Sequence, residues 1–331
     1  MLCPRSPSPL GSDFARLQAI LCPMECVHVT KKHPIYVGAP GMNRYVGHMT
    51  NIDQFESVFK AASKPQYDFE PVAIQRVLII TDQAQETADV YCHHIKAFLR
   101  ALDDLEFSTI TGDQFSSVPD LLGLIEEHKP DLVCTHRNLH MPASDYPFSI
   151  GVFVEVLTQA TSTPVLLFPH PSNTSEEAQR HVRTKTVMAI TDHLTGDHHL
   201  VSYAANFTEP DGQLLLSHVE DQEVFERYME AIGKIASIDT DAARASIMER
   251  LLQDPTDYVD SCRTVLSQHG LPLQIETLVQ LGHHLIDYKR LIEKHDVDLL
   301  VLNTKDDDQL AMHGLAYPLS VELRNTPMLL L

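Results

Sequence analysis

Two stretches of this chain repeat one another in order and spacing, and that repetition limits the folds open to it more than any other feature. The apolar run Val77-Leu78-Ile79-Ile80-Thr81, closed by Asp82, is restated as Val187-Met188-Ala189-Ile190-Thr191, closed by Asp192. Pro130-Asp131-Leu132-Val133 matches Val297-Asp298-Leu299-Leu300, and Ser162-Thr163-Pro164-Val165-Leu166-Leu167 matches Asn325-Thr326-Pro327-Met328-Leu329-Leu330. Gly151 lies 13 residues before Pro164, and Gly314 lies 13 before Pro327. A short continuous apolar run bounded by turn formers reads as a strand buried on both faces. The chain therefore holds two copies of a unit built on buried strands.

Helical periodicity fills the intervals. The first copy predicts a strand over 77–81, helix over 87–102, strand over 106–111, helix over 118–128, strand over 132–134, helix over 151–160 and strand over 165–168. The second predicts strands over 187–191, 214–219, 273–278, 299–302 and 328–331. Its helices are expected over 200–207, 223–235, 241–252 with more helix to 267, 286–295 and 317–324. Parallel strands need a crossover, and the crossovers must cover the sheet, so this alternation predicts a parallel sheet with helices on both faces. Asp82 to Asp131 is 49 residues whereas Asp192 to Asp298 is 106, so the first copy lacks a strand-helix unit.

A chain of 331 residues exceeds what one ordinary core serves. The organisation expected is a tail and irregular segment over 1–72, a first, shortened unit over 73–169, a linker over 170–185 and a second, fuller unit over 186–331. The tail is rich in Pro and Ser, resists regular structure, and offers Met24 and Met42 as alternative starts to Met1.

The formal net charge of -20 repels polyphosphate backbones and anionic lipid heads, which argues against nucleic acid and membrane partners. Six scattered cysteines do not make a secreted disulfide scaffold, and Cys22 with Cys26 form only a lone Cys-x3-Cys. No stretch approaches the roughly 18 apolar residues of a membrane span. A cytoplasmic location is expected.

The frame of a strand ending in Asp, a strand opening after Pro-Asp or Val-Asp, and a last strand preceded by Pro resembles the universal stress protein family over residues 76–168 and 186–331. The resemblance implies an α/β fold of two tandem doubly wound parallel-sheet domains, of the adenine nucleotide alpha hydrolase-like type, the first shortened. Ligand would lie at the carboxyl ends of the strands near the switch point. In members that bind ATP, the aspartate after strand one and the backbone of strand two hold adenine, and a glycine-rich segment after strand four wraps the phosphates. Carried over, Asp82 and Asp192 are the adenine-side acids, His218 and Val219 the strand-two contact, and Gly282 the turn after strand three. His136, Arg137 and Gly151 in the first copy, and Lys305 and Gly314 in the second, fall in the phosphate segments. The resemblance also implies that terminal strands pair across a dimer, so the two copies form an internal pseudo-dimer, with further homodimerisation open.

The phosphate segments depart from the pattern. The first copy reads Cys134-Thr135-His136-Arg137 and then Gly151-Val152; the second reads Asn303-Thr304-Lys305-Asp306 and then Gly314-Leu315. Glycine lets such a loop approach a phosphate, and both early glycines are replaced. Asp306, Asp307 and Asp308 repel a bare triphosphate unless a divalent cation bridges them.

Each candidate has a plainer alternative. Asp82 and Asp192 serve equally as N-caps of the helices that follow. His136-Arg137-Asn138 suits phosphate recognition through the guanidinium, while Arg137 could instead only offset acidic surface. His193, His283, Asp306 and His313 are metal-ligand types brought toward one edge, or solvated loop residues. No nucleophile elbow, Walker loop or His-Glu-x2-His helix is present, so catalysis is not expected. The expectation is a stress-response or regulatory protein with degenerate nucleotide-binding units. A functional ATP-binding or slowly hydrolysing member, with a metal bridging Asp306–Asp308 and the phosphates, and a metal-binding protein using the histidine-rich strand ends are the alternatives.

Overall fold

The computed structural model describes residues 66–171, 183–191, 194–304 and 315–331. Most of the tail and irregular segment expected over 1–72 lies outside them, as does most of the expected linker.

The described residues build one mostly parallel sheet of nine strands. In chain order these are β1 (Arg76–Ile80), β2 (Glu106–Ile110), β3 (Leu132–His136), β4 (Val165–Phe168), β5 (Thr186–Ile190), β6 (Gln213–Asp221), β7 (Gln274–Gly282), β8 (Leu299–Leu302) and β9 (Met328–Leu330). The described helices are α1 (Gln85–Phe98), α2 (Val118–His128), α3 (Val152–Ala160), α4 (His198–Phe207), α5 (Gln222–Ile232), α6 (Thr240–Gln268), α7 (His284–His295) and α8 (Ala316–Glu322).

The strand order is β2-β1-β3-β4-β9-β8-β5-β6-β7. All neighbours run parallel except β4 and β9, which pair antiparallel with Leu166 opposite Leu329. The sequence match sets Pro164 against Pro327, and therefore Leu166 against Leu329, so each strand faces its own counterpart about a local two-fold. The two sides differ in that β6 and β7, separated by α5 and α6, extend one flank, whereas β2 ends the other.

Strand residues alternate between two apolar clusters, as a period of two requires. Val77, Ile79, Leu166, Val187, Leu216 and Leu329 belong to the cluster packed with α1, α4 and α6. Leu78, Ile80, Leu167, Met188, Leu300 and Leu330 belong to the cluster packed with α2, α3, α7 and α8. The apolar material is therefore divided by sheet face, and each cluster runs through both repeats. Each fully buried Leu, Ile or Phe contributes about 1.5–3 kcal/mol relative to exposure.

The repeats share specific backbone bonds. Arg76 N–H donates to Asp131 Oδ2 at 2.9 Å, and Thr186 N–H donates to Asp298 Oδ2 at the same 2.9 Å. Asp131 N–H returns a bond to Arg76 O at 2.8 Å, and Asp298 N–H to Thr186 O at 2.9 Å. The preceding helices, α2 and α7, both end on a left-handed residue, Lys129 and Asp296.

The helical stretches expected over 241–252 and on to 267 are one helix: α6 carries Pro255 inside it, and the Thr256 hydroxyl bonds Leu252 O at 2.7 Å. One local expectation differs from the structure. Gly282 is the last residue of β7, not part of the turn, because β7 pairs with β6 along its whole length, to Asp221 opposite Gly282. No described helix is long and apolar enough to cross a membrane.

Candidate functional site

In the first repeat the carboxyl ends of β1 and β3 bring Asp82 and His136 together. His136 is fully buried, and its Nε2 stands 3.2 Å from Asp82 Oδ1 and 3.1 Å from Thr81 Oγ1. Its Nδ1 donates to Arg137 O at 2.9 Å, and Tyr91 and His170 meet the ring edge to face. Asp82 Oδ2 accepts His140 N–H at 2.9 Å. Burial by itself would raise the Asp82 pKa, but the His136 contact and the His140 N–H outweigh it and hold the carboxyl down at about 2.

Asp82 is not a helix cap. Ala84 occupies that position for α1, and the aspartate is turned to the loop after β3. That loop holds Asn138 and His140 at φ of 58° and 54°, the left-handed geometry usually given to glycine.

At two points beside these groups, loops pack backbone against backbone. A Cβ on Gly112 would lie 2.2 Å from Asp82 O, so the loops after β1 and β2 touch backbone to backbone. Gly151 has φ of +92°, and a Cβ there would meet Asn138 Cα at 2.9 Å. Gly151 N–H is taken by Ser149 Oγ at 2.9 Å, and Asn138 N–H by Ile150 O at 3.0 Å. Gly151 therefore packs against the loop after β3.

Arg137 is separated from this group by its side chain. Its backbone N–H donates to Phe168 O at 3.2 Å, while its guanidinium crosses to the other repeat, where Nη2 donates to Leu323 O at 2.9 Å. Burial, with the Arg324 cation adding to it, lowers its pKa to about 9.

In the second repeat Asp192, His193, Lys305, Asp306, Asp307, Asp308, His313 and Gly314 lie outside the described residues. The structure does place Val219 and Gly282 together. Val219 N–H donates to the phenolic oxygen of Tyr288 at 3.0 Å, and that hydroxyl lies 3.5 Å from Thr191 O. Tyr288 is fully buried. Gly282 lets the Asp287 carboxylate in, since a Cβ would lie 2.2 Å from its Oδ2, and that oxygen accepts His283 N–H at 2.7 Å. His218 points to the opposite face, with Nε2 3.3 Å from Glu220 Oε2.

The cap of α4 is Asp197, which accepts Leu200 N–H at 3.1 Å and Asn303 Nδ2–H at 2.6 Å. Sequence reasoning passed over Asp197 and Tyr288. The first had a signal, a Gly-Asp pair directly before a helix; the second had none, because a tyrosine on an apolar helix face reads as core. Among the described residues no three His, Cys, Asp or Glu side chains gather as a metal set.

No protein-family model and no curated protein matches the chain. Similar solved structures include a functionally unknown protein from Pseudomonas aeruginosa PAO1, at TM-score 0.44 and 15% identity, covering 78% of this chain and 92% of that one. A putative universal stress protein from Pseudomonas aeruginosa UCBPP-PA14 gives TM-score 0.44 and 15% identity over 78% of this chain and 93% of that one. A universal stress protein from Archaeoglobus fulgidus DSM 4304 gives TM-score 0.43 and 11% identity over 77% of this chain and 97% of that one.

Proposed function

We propose that this chain is a non-enzymatic stress-response or regulatory protein. Two units of the universal stress protein type are joined at their last strands as an internal pseudo-dimer, and the base-binding positions among the described residues are occupied by the chain's own backbone and side chains. The protein acts by binding a partner or ligand, not by turning over a nucleotide.

The observation that carries this reading is the Tyr288 hydroxyl on Val219 N–H. The sequence resemblance assigns adenine to the backbone of that strand, and a buried N–H already bonded to a buried tyrosine has nothing left to offer a base. The first repeat supports the same reading, because Gly112 and Gly151 seat protein backbone against Asp82 and Asn138. The tandem reading draws on the paired Asp131 and Asp298 bonds and on the β4–β9 register centred on Leu166 and Leu329.

Isothermal titration of metal-free protein with ATP, with and without magnesium, tests it. No saturable heat is expected in either condition. Saturable binding that disappears in Asp192→Ala would overturn the reading in favour of a live nucleotide site. Stoichiometric metal in the protein as purified would move it to a metal-binding protein.

A further inference from the structure

The junction of the two repeats holds a buried cation that has no ion-pair partner among the described residues. The Arg137 guanidinium is 3% exposed, and its single hydrogen bond runs from Nη2 to the carbonyl of Leu323. Nε and Nη1 are sealed from solvent and have no acceptor. Each edge of the planar fork therefore keeps a free donor. Arginine is chosen over lysine where a planar fork must grip an oxyanion, and a buried charge is ordinarily paired.

Among the described residues the surroundings add positive charge, and no carboxylate pairs with the Arg137 guanidinium. Arg324 follows directly on Leu323, close enough for its charge to be felt at Arg137, and its guanidinium stacks 5.2 Å from the centre of the exposed Phe148 ring. The nearest acid in sequence, Glu322, is taken by Lys289 at 3.0 Å.

The corresponding position across the local two-fold shows what Arg137 adds. Thr304 N–H donates to Leu331 O at 2.9 Å as Arg137 N–H does to Phe168 O. Thr304 sends only a short hydroxyl to the same Leu331 O, at 2.6 Å, and a cleft of about 230 Å³ lined by Thr161, Ser162, Asn303 and Leu331 opens there. Where a threonine would complete the backbone pattern, this chain drives a guanidinium into the junction.

We propose that Arg137 and Arg324 form a binding site for a phosphate-type dianion at the junction of the two repeats, reached by displacement of the exposed Arg324–Phe148 pair. The site lies apart from the base positions, and the proposal does not rest on their being closed.

The test is isothermal titration of the full chain with inorganic phosphate at constant ionic strength, with sulfate and acetate as separate arms. Saturable binding of phosphate and sulfate is expected, with acetate weaker. Arg324→Gln, an exposed change, should weaken phosphate by about tenfold, the loss of one charge-assisted contact. Arg137→Met should abolish it. No saturable heat with phosphate would overturn the proposal, as would equal affinity in wild type and Arg324→Gln, or acetate binding as well as phosphate. Arg137→Met melting above wild type in buffers with and without phosphate alike would mark the buried cation as a packing feature and also overturn it. ATP binding lost in Arg324→Gln but kept in Asp192→Ala would place the phosphates at the junction and leave the base positions unused.

Discussion

The phenolic oxygen of Tyr288, on α7, accepts the N–H of Val219, on β6, at 3.0 Å. This bond ties a helix to the end of a strand.

Tyr288→Phe keeps the ring and removes the acceptor, leaving a buried N–H unpaired. A loss of about 1–3 kcal/mol is expected. A lowered urea midpoint with an unchanged slope checks it, and an unchanged midpoint would show that Val219 finds another acceptor.

Asp82 links stability to pH. Its folded pKa, about 2, lies below the ordinary carboxylate value. A depressed carboxylate stabilises above its unfolded pKa, and that contribution is lost as pH falls from about 4 through about 2. The side chain is 19% exposed, so the contribution is about 2 kcal/mol at most. Asp82→Asn should destabilise the protein at pH 7 and flatten the fall in stability between pH 4 and pH 2, measured by urea unfolding at each pH.

Gly151 and Gly123 should respond oppositely to alanine. Gly151 combines φ of +92° with a collision against Asn138, so Gly151→Ala should cost about 2 kcal/mol or more. Gly123 is exposed within α2, and a Cβ there meets nothing within 4 Å, so Gly123→Ala should gain about 0.5–1 kcal/mol. Thermal denaturation of the two variants side by side decides it.

Asp131 and Asp298 make the same backbone bonds but should titrate in opposite directions. Arg76 hydrogen bonds hold Asp131 down at about 2, whereas burial raises Asp298 above the ordinary value. Acidification from pH 4 to pH 2 therefore removes stability at Asp131, while protonation of Asp298 on descent through its raised pKa relieves a buried charge and adds stability. Carboxyl chemical shifts followed by NMR should show Asp298 gaining its proton first.

Much of the fold was legible because strand burial leaves a simple mark. Runs such as Val77-Leu78-Ile79-Ile80 have no polar face, so they belong inside a covered sheet, and the matched Pro164 and Pro327 fixed which strands correspond. The helix α2 fell over 118–128 where its apolar spacing placed it, and a Ser117 capping box starts it in the structure. α6 runs through Pro255 as one helix, because proline's cost to a helix is local and packing by Tyr258, Val259 and Cys262 outweighs it.

The candidate site was legible only in part. Asp82 and His136 were named from position alone, and their 3.2 Å contact was not foreseeable across the residues between them. By itself, the sequence determined the buried strands and their helical crossovers, because these follow from periodicities of two and 3.6 residues along the chain. Tertiary structure alone decided that both repeats share one sheet, that Tyr288 closes Val219, and that Arg137 turns to the junction. Each depends on which groups meet in space across long separations, where hydrogen-bond partners and free volume are set by packing and leave no local pattern in the chain.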